Sequence, residues 1–73
     1  MALLELKSDV TGSVWKIVTA AGQKLEAGTT VMILESMKME IPLIAEDGGT
    51  LVEIRVAEGT AVAEGQVLAV VQE

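Results

Sequence analysis

The residues best suited to chemistry are a lysine between two methionines, Met37-Lys38-Met39, near the middle of the chain. On both sides lie apolar stretches rich in β-branched residues, Val31 to Leu34 and Ile41 to Ile44, without a helical period. This pattern predicts a β-hairpin with Lys38 near its tip. A lysine there would project its amine away from the body of the molecule.

The turn itself has an unusual composition. Two-residue hairpin loops require positive φ and normally contain Gly, Asn or Asp rather than Met-Lys. A local rule broken in an otherwise consistent sequence indicates function. Exposed methionines suit a surface that must fit several partners. The alternative interpretation is that Met37 and Met39 pack in ordinary strands and that Lys38 is a solvated charge.

The segment Glu35-Ser36-Met37-Lys38-Met39 resembles the attachment motif of biotin carboxyl carrier domains. The resemblance extends to Gly12-Ser13-Val14-Trp15-Lys16-Ile17 and to Glu40-Ile41-Pro42, and it is greatest with the free-standing single-domain biotin/lipoyl attachment proteins. It implies that Lys38 carries covalent biotin. It also implies that Met37 and Met39 are recognised by the modifying ligase, with Glu35 and Ser36 as flanking positions of the motif.

The resemblance implies a carrier that has no active site of its own. A biotin protein ligase would join the amine of Lys38 to the biotin carboxylate as an amide. A biotin carboxylase would then carboxylate the biotin, and a carboxyltransferase would pass the carboxyl group to an acceptor such as an acyl-CoA. Tethering raises the effective concentration of the cofactor at both active sites, which is the advantage of a swinging arm over free biotin.

Two alternatives remain open at this stage. A lipoyl carrier of an acyl-transfer system has the same fold, although its signature places Asp before the lysine and Ala after it, where this chain has Met37 and Met39. An unmodified structural or interaction barrel is the second alternative. The motif also departs from biotin carriers at Ser36, where Ala is usual. The segment Ile17 to Gly22 is too short for the inserted thumb of some bacterial carriers.

The chain contains an internal repeat with an offset of 37 residues. Three pairs of glycines align at this offset: Gly12 with Gly49, Gly22 with Gly59, and Gly28 with Gly65. Two copies of one strand-turn-strand unit, each too small to bury its own apolar face, must pack on each other. We therefore expect one domain over residues 1–73, with halves at about 3–36 and 40–73.

The predicted fold is all-β, without a convincing helix. Short strands with frequent turns indicate a flattened barrel or sandwich of two small antiparallel sheets related by a pseudo-dyad. The resemblance implies the same barrel-sandwich architecture. Met1 corresponds to Lys38 under the repeat, so the chain termini and the lysine turn should lie at opposite ends. Alternation places Val52, Ile54 and Val56 on the core face, and the equivalent Trp15 in or over the core.

Composition excludes several function classes. The chain has no His and no Cys, so the usual general base, catalytic triads and thiolate metal sites are missing, and its carboxylates fit no metal-ligand spacing. A net charge of −6 makes nucleic acid a poor partner and favours a monomer. No segment is long and apolar enough for a membrane span, and the N-terminus lacks signal-peptide features. The sequence thus predicts a cytoplasmic protein.

Overall fold

The computed structural model describes residues 2–73, which form eight β-strands and no helix. The strands are short because turns interrupt the chain every few residues. Their bounds are β1 Leu3–Lys7, β2 Gly12–Ile17, β3 Lys24–Leu25, β4 Thr29–Ser36, β5 Met39–Ala45, β6 Gly49–Ile54, β7 Ala61–Val62 and β8 Val67–Gln72.

The strands form two four-stranded sheets, and every pairing is antiparallel. One sheet has the order β1-β8-β6-β3 and the other the order β5-β4-β2-β7. A shift of 37 residues converts each strand of the first sheet into its counterpart in the second, since β1 corresponds to β5, β8 to β4, β6 to β2 and β3 to β7. The predicted all-β fold with internal pseudo-two-fold symmetry is confirmed.

The aliphatic core lies between the two sheets. Both halves contribute to it, and β4 and β8 contribute the most buried residues. Val31, Met32, Leu51, Leu68 and Ala69 have no solvent exposure. Ten valines and the absence of Phe and Tyr give this core small, branched side chains that suit a pleated surface. Neither sheet could bury its apolar face alone.

Four β-bulges, related in pairs by the repeat, alter the predicted alternation. The bulge on β2 falls between Val14 and Lys16, and the bulge on β6 falls between Leu51 and Glu53. Each inserts one residue that opposes no partner and turns it outward. The prediction that Val52 faces the core is therefore wrong, since Val52 is 46% exposed whereas Leu51 is fully buried. Trp15 is 48% exposed and is not part of the core, whereas Ile54 and Val56 pack against the core as predicted.

The lysine turn and the chain termini lie at opposite ends of the sheets. The β4–β5 hairpin closes between Ser36 and Met39 and opens at the pair Thr29 and Ala45. The turn after Ala45 leads into β6, whose first residue Gly49 packs its backbone against the carbonyl of Gln72. Gln72 in turn pairs with Leu3. The equivalence of Met1 with Lys38 falls outside the described residues, although the neighbouring Glu73 N–H donates to the Ala2 carbonyl at 2.9 Å.

Because the core joins the two halves, one large truncation within it should destabilise the whole domain. We expect Leu51→Ala to lower the free energy of unfolding by about 2–5 kcal/mol, as it removes a fully buried side chain and leaves a cavity. The adjacent Val52→Ala is the matched control, and it should cost less than about 1 kcal/mol because Val52 lies outside the core. Urea unfolding measures both values. Equal losses would contradict the position of the bulge.

Candidate functional site: a lysine on a left-handed hairpin turn

The β4–β5 hairpin presents Met37 and Lys38 as its two loop residues. Ser36 and Met39 form the last strand pair, which leaves only these two residues in the turn. Met37 has φ of 52° and Lys38 has φ of 65°, and they are the two residues other than glycine with positive φ in the described chain. Positive φ at both loop positions is the type I′ geometry that matches the right-handed twist of paired strands. The predicted hairpin with Lys38 at its tip has this form.

The side chains of the turn lie in solvent. Met37 is 91% exposed and Met39 is 64% exposed, so neither packs as an ordinary strand residue would. Lys38 is exposed as well, and it makes no ion pair with residues 2–73. An apolar side chain that stays mostly in solvent gains little free energy from burial. The local structure therefore offers no packing reason for methionines on both sides of the lysine.

The hairpin is held from its base by the segment that precedes β2. The Ser36 hydroxyl donates a hydrogen bond to the Thr11 carbonyl at 2.9 Å. Gly12 approaches the Glu35 carbonyl so closely that a Cβ at Gly12 would overlap it. Ser13 pairs with Glu35 in the β2–β4 ladder. These contacts fix the two residues before the turn, and they support the strained conformation at Met37 and Lys38.

Sequence reasoning missed the supporting roles of Thr11 and Gly12. The Ser36–Thr11 hydrogen bond joins residues that are 25 positions apart in the sequence, and no local sequence pattern predicts it. The repeat did carry a signal, because Gly12 aligns with Gly49. Gly49 and Gln72 lie on neighbouring strands of the β1-β8-β6-β3 sheet, and a Cβ at Gly49 would overlap the Gln72 carbonyl. Both glycines therefore allow a close approach of two neighbouring strands, at equivalent places in the two sheets.

Carboxylates give the surface below the turn a negative charge. Glu35 and Glu40 lie directly opposite each other as a cross-strand pair, and both are exposed. Like charges in that position destabilise a hairpin. Elsewhere in the described chain a carboxylate does have a cation beside it: Arg55, which directly follows β6, donates from its Nε to the Glu53 carboxylate at 2.7 Å. That hydrogen bond and charge raise the pKa of Arg55. At the hairpin, by contrast, Lys38 lies in the turn beyond Glu35 and Glu40 and forms no ion pair with either carboxylate.

The chemistry available at this site is presentation of a group attached to Lys38. The side chains adjoining the turn are thioethers, hydroxyls and carboxylates, and no cluster of three or more potential metal ligands occurs in residues 2–73. Residues 2–73 contain no helix that is long and apolar enough to cross a membrane. The fold and the turn together define a class: a small all-β domain that projects one lysine on a rigid hairpin.

Comparison with known proteins identifies the family. Residues 4–71 match the sequence profile of the biotin/lipoyl attachment family, described as biotin-requiring enzyme. The chain belongs to this family. It is a domain of the biotin carboxyl carrier type, similar to the biotinyl domains of acyl-CoA and urea carboxylases.

Small proteins similar to this chain match over most of their own length. The Biotin/lipoyl attachment protein of Bacillus subtilis is 48% identical over 81% of this chain and 81% of its own. The biotinylated protein TB7.3 homolog of Mycobacterium leprae is 31% identical over 92% of this chain and 94% of its own.

Larger relatives contain the same fold as a small part. The solved urea carboxylase of Kluyveromyces lactis superposes with a TM-score of 0.92 and 36% identity, covering 99% of this chain and 6% of that one. A single-chain, multi-domain long-chain acyl-CoA carboxylase superposes with a TM-score of 0.87 and 31% identity, over 93% of this chain and 7% of that one. The fold therefore occurs both in small proteins and in long carboxylase chains.

The left-handed turn makes a prediction about stability. Lys38→Gly should raise the free energy of unfolding by about 1 kcal/mol, because glycine adopts positive φ without the steric cost that lysine bears there. Lys16→Gly is the matched control at an exposed position within β2, and it should lower stability by about 0.5–1 kcal/mol. Urea unfolding of the two variants distinguishes them. A loss of stability in Lys38→Gly would show that the lysine side chain supports the hairpin.

Proposed function

We propose that Lys38 is the site at which this chain carries covalent biotin, and that the chain serves as the carboxyl carrier of a biotin-dependent carboxylase. The single observation that supports this most is the turn itself. Met37 and Lys38 occupy positions where glycine or asparagine would be more stable, and they are exposed on a hairpin that the rest of the domain holds rigid. Membership in the biotin-requiring family supports the same assignment.

The residues present fit a covalently attached cofactor. The Lys38 Nζ is reached from solvent, so an incoming ligase can bring an activated biotin carboxylate to it. The deprotonated amine attacks the carboxyl carbon, the C–N amide bond forms, the bond to the activating group breaks, and the amine loses a proton. The lysine charge disappears in that step. When bound, biotin supplies a ureido nitrogen that can accept and release a carboxyl group.

The chain's own contribution is to position and extend that arm. The β4–β5 ladder runs for seven residue pairs from Thr29 and Ala45 to Ser36 and Met39. The Ser36–Thr11 hydrogen bond and the close approach of Gly12 limit movement at the upper end of this ladder. Motion of the cofactor would then come from the flexible lysine side chain, and the hairpin would fix its point of attachment.

The proposed partners follow from the chemistry. A biotin protein ligase would recognise Met37 and Met39, whose exposed thioethers form a flexible apolar surface around the amine, with Glu35 and Ser36 beside them. A biotin carboxylase and a carboxyltransferase would each receive the arm in turn. Similar domains occur in proteins named for acyl-CoA, urea and pyruvate. The acceptor is therefore expected to be selected by the transferase.

Lipoate is the competing cofactor, because the family includes both kinds of attachment protein. The methionines on each side of Lys38 favour biotin, as does the naming of several relatives for biotinylation or biotin-dependent carboxylation. An unmodified barrel is the remaining alternative, and it offers no reason for a strained Met-Lys turn.

The decisive experiment is co-expression of the chain with a biotin protein ligase, followed by intact mass measurement and peptide mapping. We expect one biotinyl increment on the peptide that contains Lys38. Lys38→Arg should carry none, because the guanidinium is not a nucleophile at neutral pH. Lys16→Arg should be modified as fully as the unaltered chain, since Lys16 lies within a strand.

The same experiment with a lipoate ligase and lipoate separates the alternatives. A lipoyl increment without a biotinyl increment would assign the chain to acyl transfer. A folded chain that accepts neither group would contradict the carrier proposal. Biotinylation that persists in Lys38→Arg would show that another lysine is the attachment site.

A further inference from the structure

β1 and β5 are each the end strand of a sheet, and both line one groove. β1 pairs only with β8, and β5 pairs only with β4, among residues 2–73. These two edge strands correspond to each other in the repeat. An exposed strand edge presents unpaired N–H and C=O groups and is a template for pairing with another chain, so proteins usually block it.

The two edges differ in how they are blocked. β5 contains Pro42, which pairs with Ile33 and has no N–H to offer a further strand. The equivalent residue of β1 is Glu5, which pairs with Val70, the equivalent of Ile33. Since Pro is accommodated where its nitrogen faces solvent, the Glu5 N–H at the corresponding position points outward and is available. The edge of β1 is thus open where that of β5 is closed.

A groove with both apolar and charged lining residues lies beside the open edge. It has a volume of about 520 Å³ and is lined by β1, β5, the turns that follow them and the end of the chain from Val71. Leu4 and Ile44 contribute partly exposed side chains, at 40% and 39%, and Leu6 and Leu43 form more buried parts of the lining. Leu4 and Leu6 share one face of β1, so they would contact alternate residues of an added strand.

The groove is also acidic. Five acidic residues and one lysine, Lys7, line it, a net charge of −4. One of the five, Glu5, has Arg55 within 4.0 Å, so the strongest negative charge belongs to the others. These are Asp9, Glu46, Asp47 and Glu73, and all are exposed. A second copy of this chain, itself at −6, would be repelled from such a surface.

We propose that the edge of β1 and this groove bind an extended segment of another protein, in which basic residues alternate with apolar ones. The segment adds a strand to β1 through backbone hydrogen bonds, beginning with the Glu5 N–H. Its apolar side chains pack beside Leu4 and Leu6, and its basic side chains face the surrounding carboxylates.

Binding here leaves the lysine turn free. Pro42 is the lining residue nearest to Lys38 along the hairpin, and a rise of four residue steps places their backbones about 13 Å apart. A partner held at β1 would keep the domain close while the arm on Lys38 visits an active site, which raises the effective concentration of the arm. That use rests on the proposed function, whereas strand addition at β1 does not depend on it.

The test is a titration of the ¹⁵N-labelled chain with a synthetic hexapeptide of alternating lysine and valine, capped at both ends and followed by amide NMR. We expect saturable shifts at the amides of β1 and of the residues lining the groove. A peptide of the same composition with its lysines grouped before its valines should bind at least about tenfold more weakly. The reason is that charge alone does not fix the register of an added strand, whereas alternating side chains do.

Two variants separate backbone pairing from charge. Glu5→Pro removes the outward N–H and the carboxylate, and the repeat shows that Pro is tolerated at the equivalent position of β5. It should weaken binding of the alternating peptide at least about tenfold. Glu5→Gln removes only the charge and should weaken binding less than about threefold. Circular dichroism checks that both variants are folded.

A second measurement uses the unaltered chain, so it does not depend on the folding of any variant. Methylating the amide nitrogens on the pairing side of the peptide should abolish the shifts at β1. Full binding of the methylated peptide, unchanged binding to folded Glu5→Pro, or shifts scattered over other acidic surfaces would overturn the proposal. Sedimentation that shows dimers formed through β1 would also overturn it. Repeating the titration with Lys38→Arg should give the same affinity, which keeps this result separate from the proposed modification.

Discussion

The structure depends on the burial of one aliphatic face by another. Each sheet takes two strands from each repeat and has one apolar face. The two faces meet around Val31 and Leu68, which correspond to each other and have no exposure. With 73 residues and no disulfide, the domain has little other stabilisation available. The same packing fixes β4 and β5 as a rigid pair. That rigidity allows the hairpin tip to hold two residues in a conformation that they do not favour.

The strain at the tip is local and small compared with the packing that supports it. Positive φ at Met37 and Lys38 costs about 1–2 kcal/mol for each residue, and the ladder below them supplies seven residue pairs. The Ser36–Thr11 hydrogen bond adds a fixed point immediately before the turn. A stable hairpin needs only asparagine and glycine at these positions. The lysine and methionines therefore lower stability, and their presence is explained by what must bind them.

The repeat allowed the fold to be predicted from the sequence, because glycines at a constant offset require two equivalent units and a shared core. The hairpin was predictable too, since β-branched stretches flank the turn. The bulges were not. Alternation alone placed Trp15 and Val52 on the core face, but a single unpaired residue in each strand reverses the orientation, and residue type does not reveal it. The contact of Ser36 with Thr11 was equally hidden, because it joins segments that only the folded sheets bring together.

Differences between the two repeats are informative because corresponding strands occupy equivalent places in the two sheets. Where both copies keep a residue type, as at Gly12 and Gly49, the backbone requires it. Where they differ at an exposed position, core packing does not decide the choice. The first half has Glu5 where the second has Pro42, although both residues occupy edge strands and pair with equivalent neighbours. One edge is closed to a further strand and the other is open. The shared core does not account for this difference, because both residues lie on exposed edges, and the proposed strand addition at β1 gives it a physical reason.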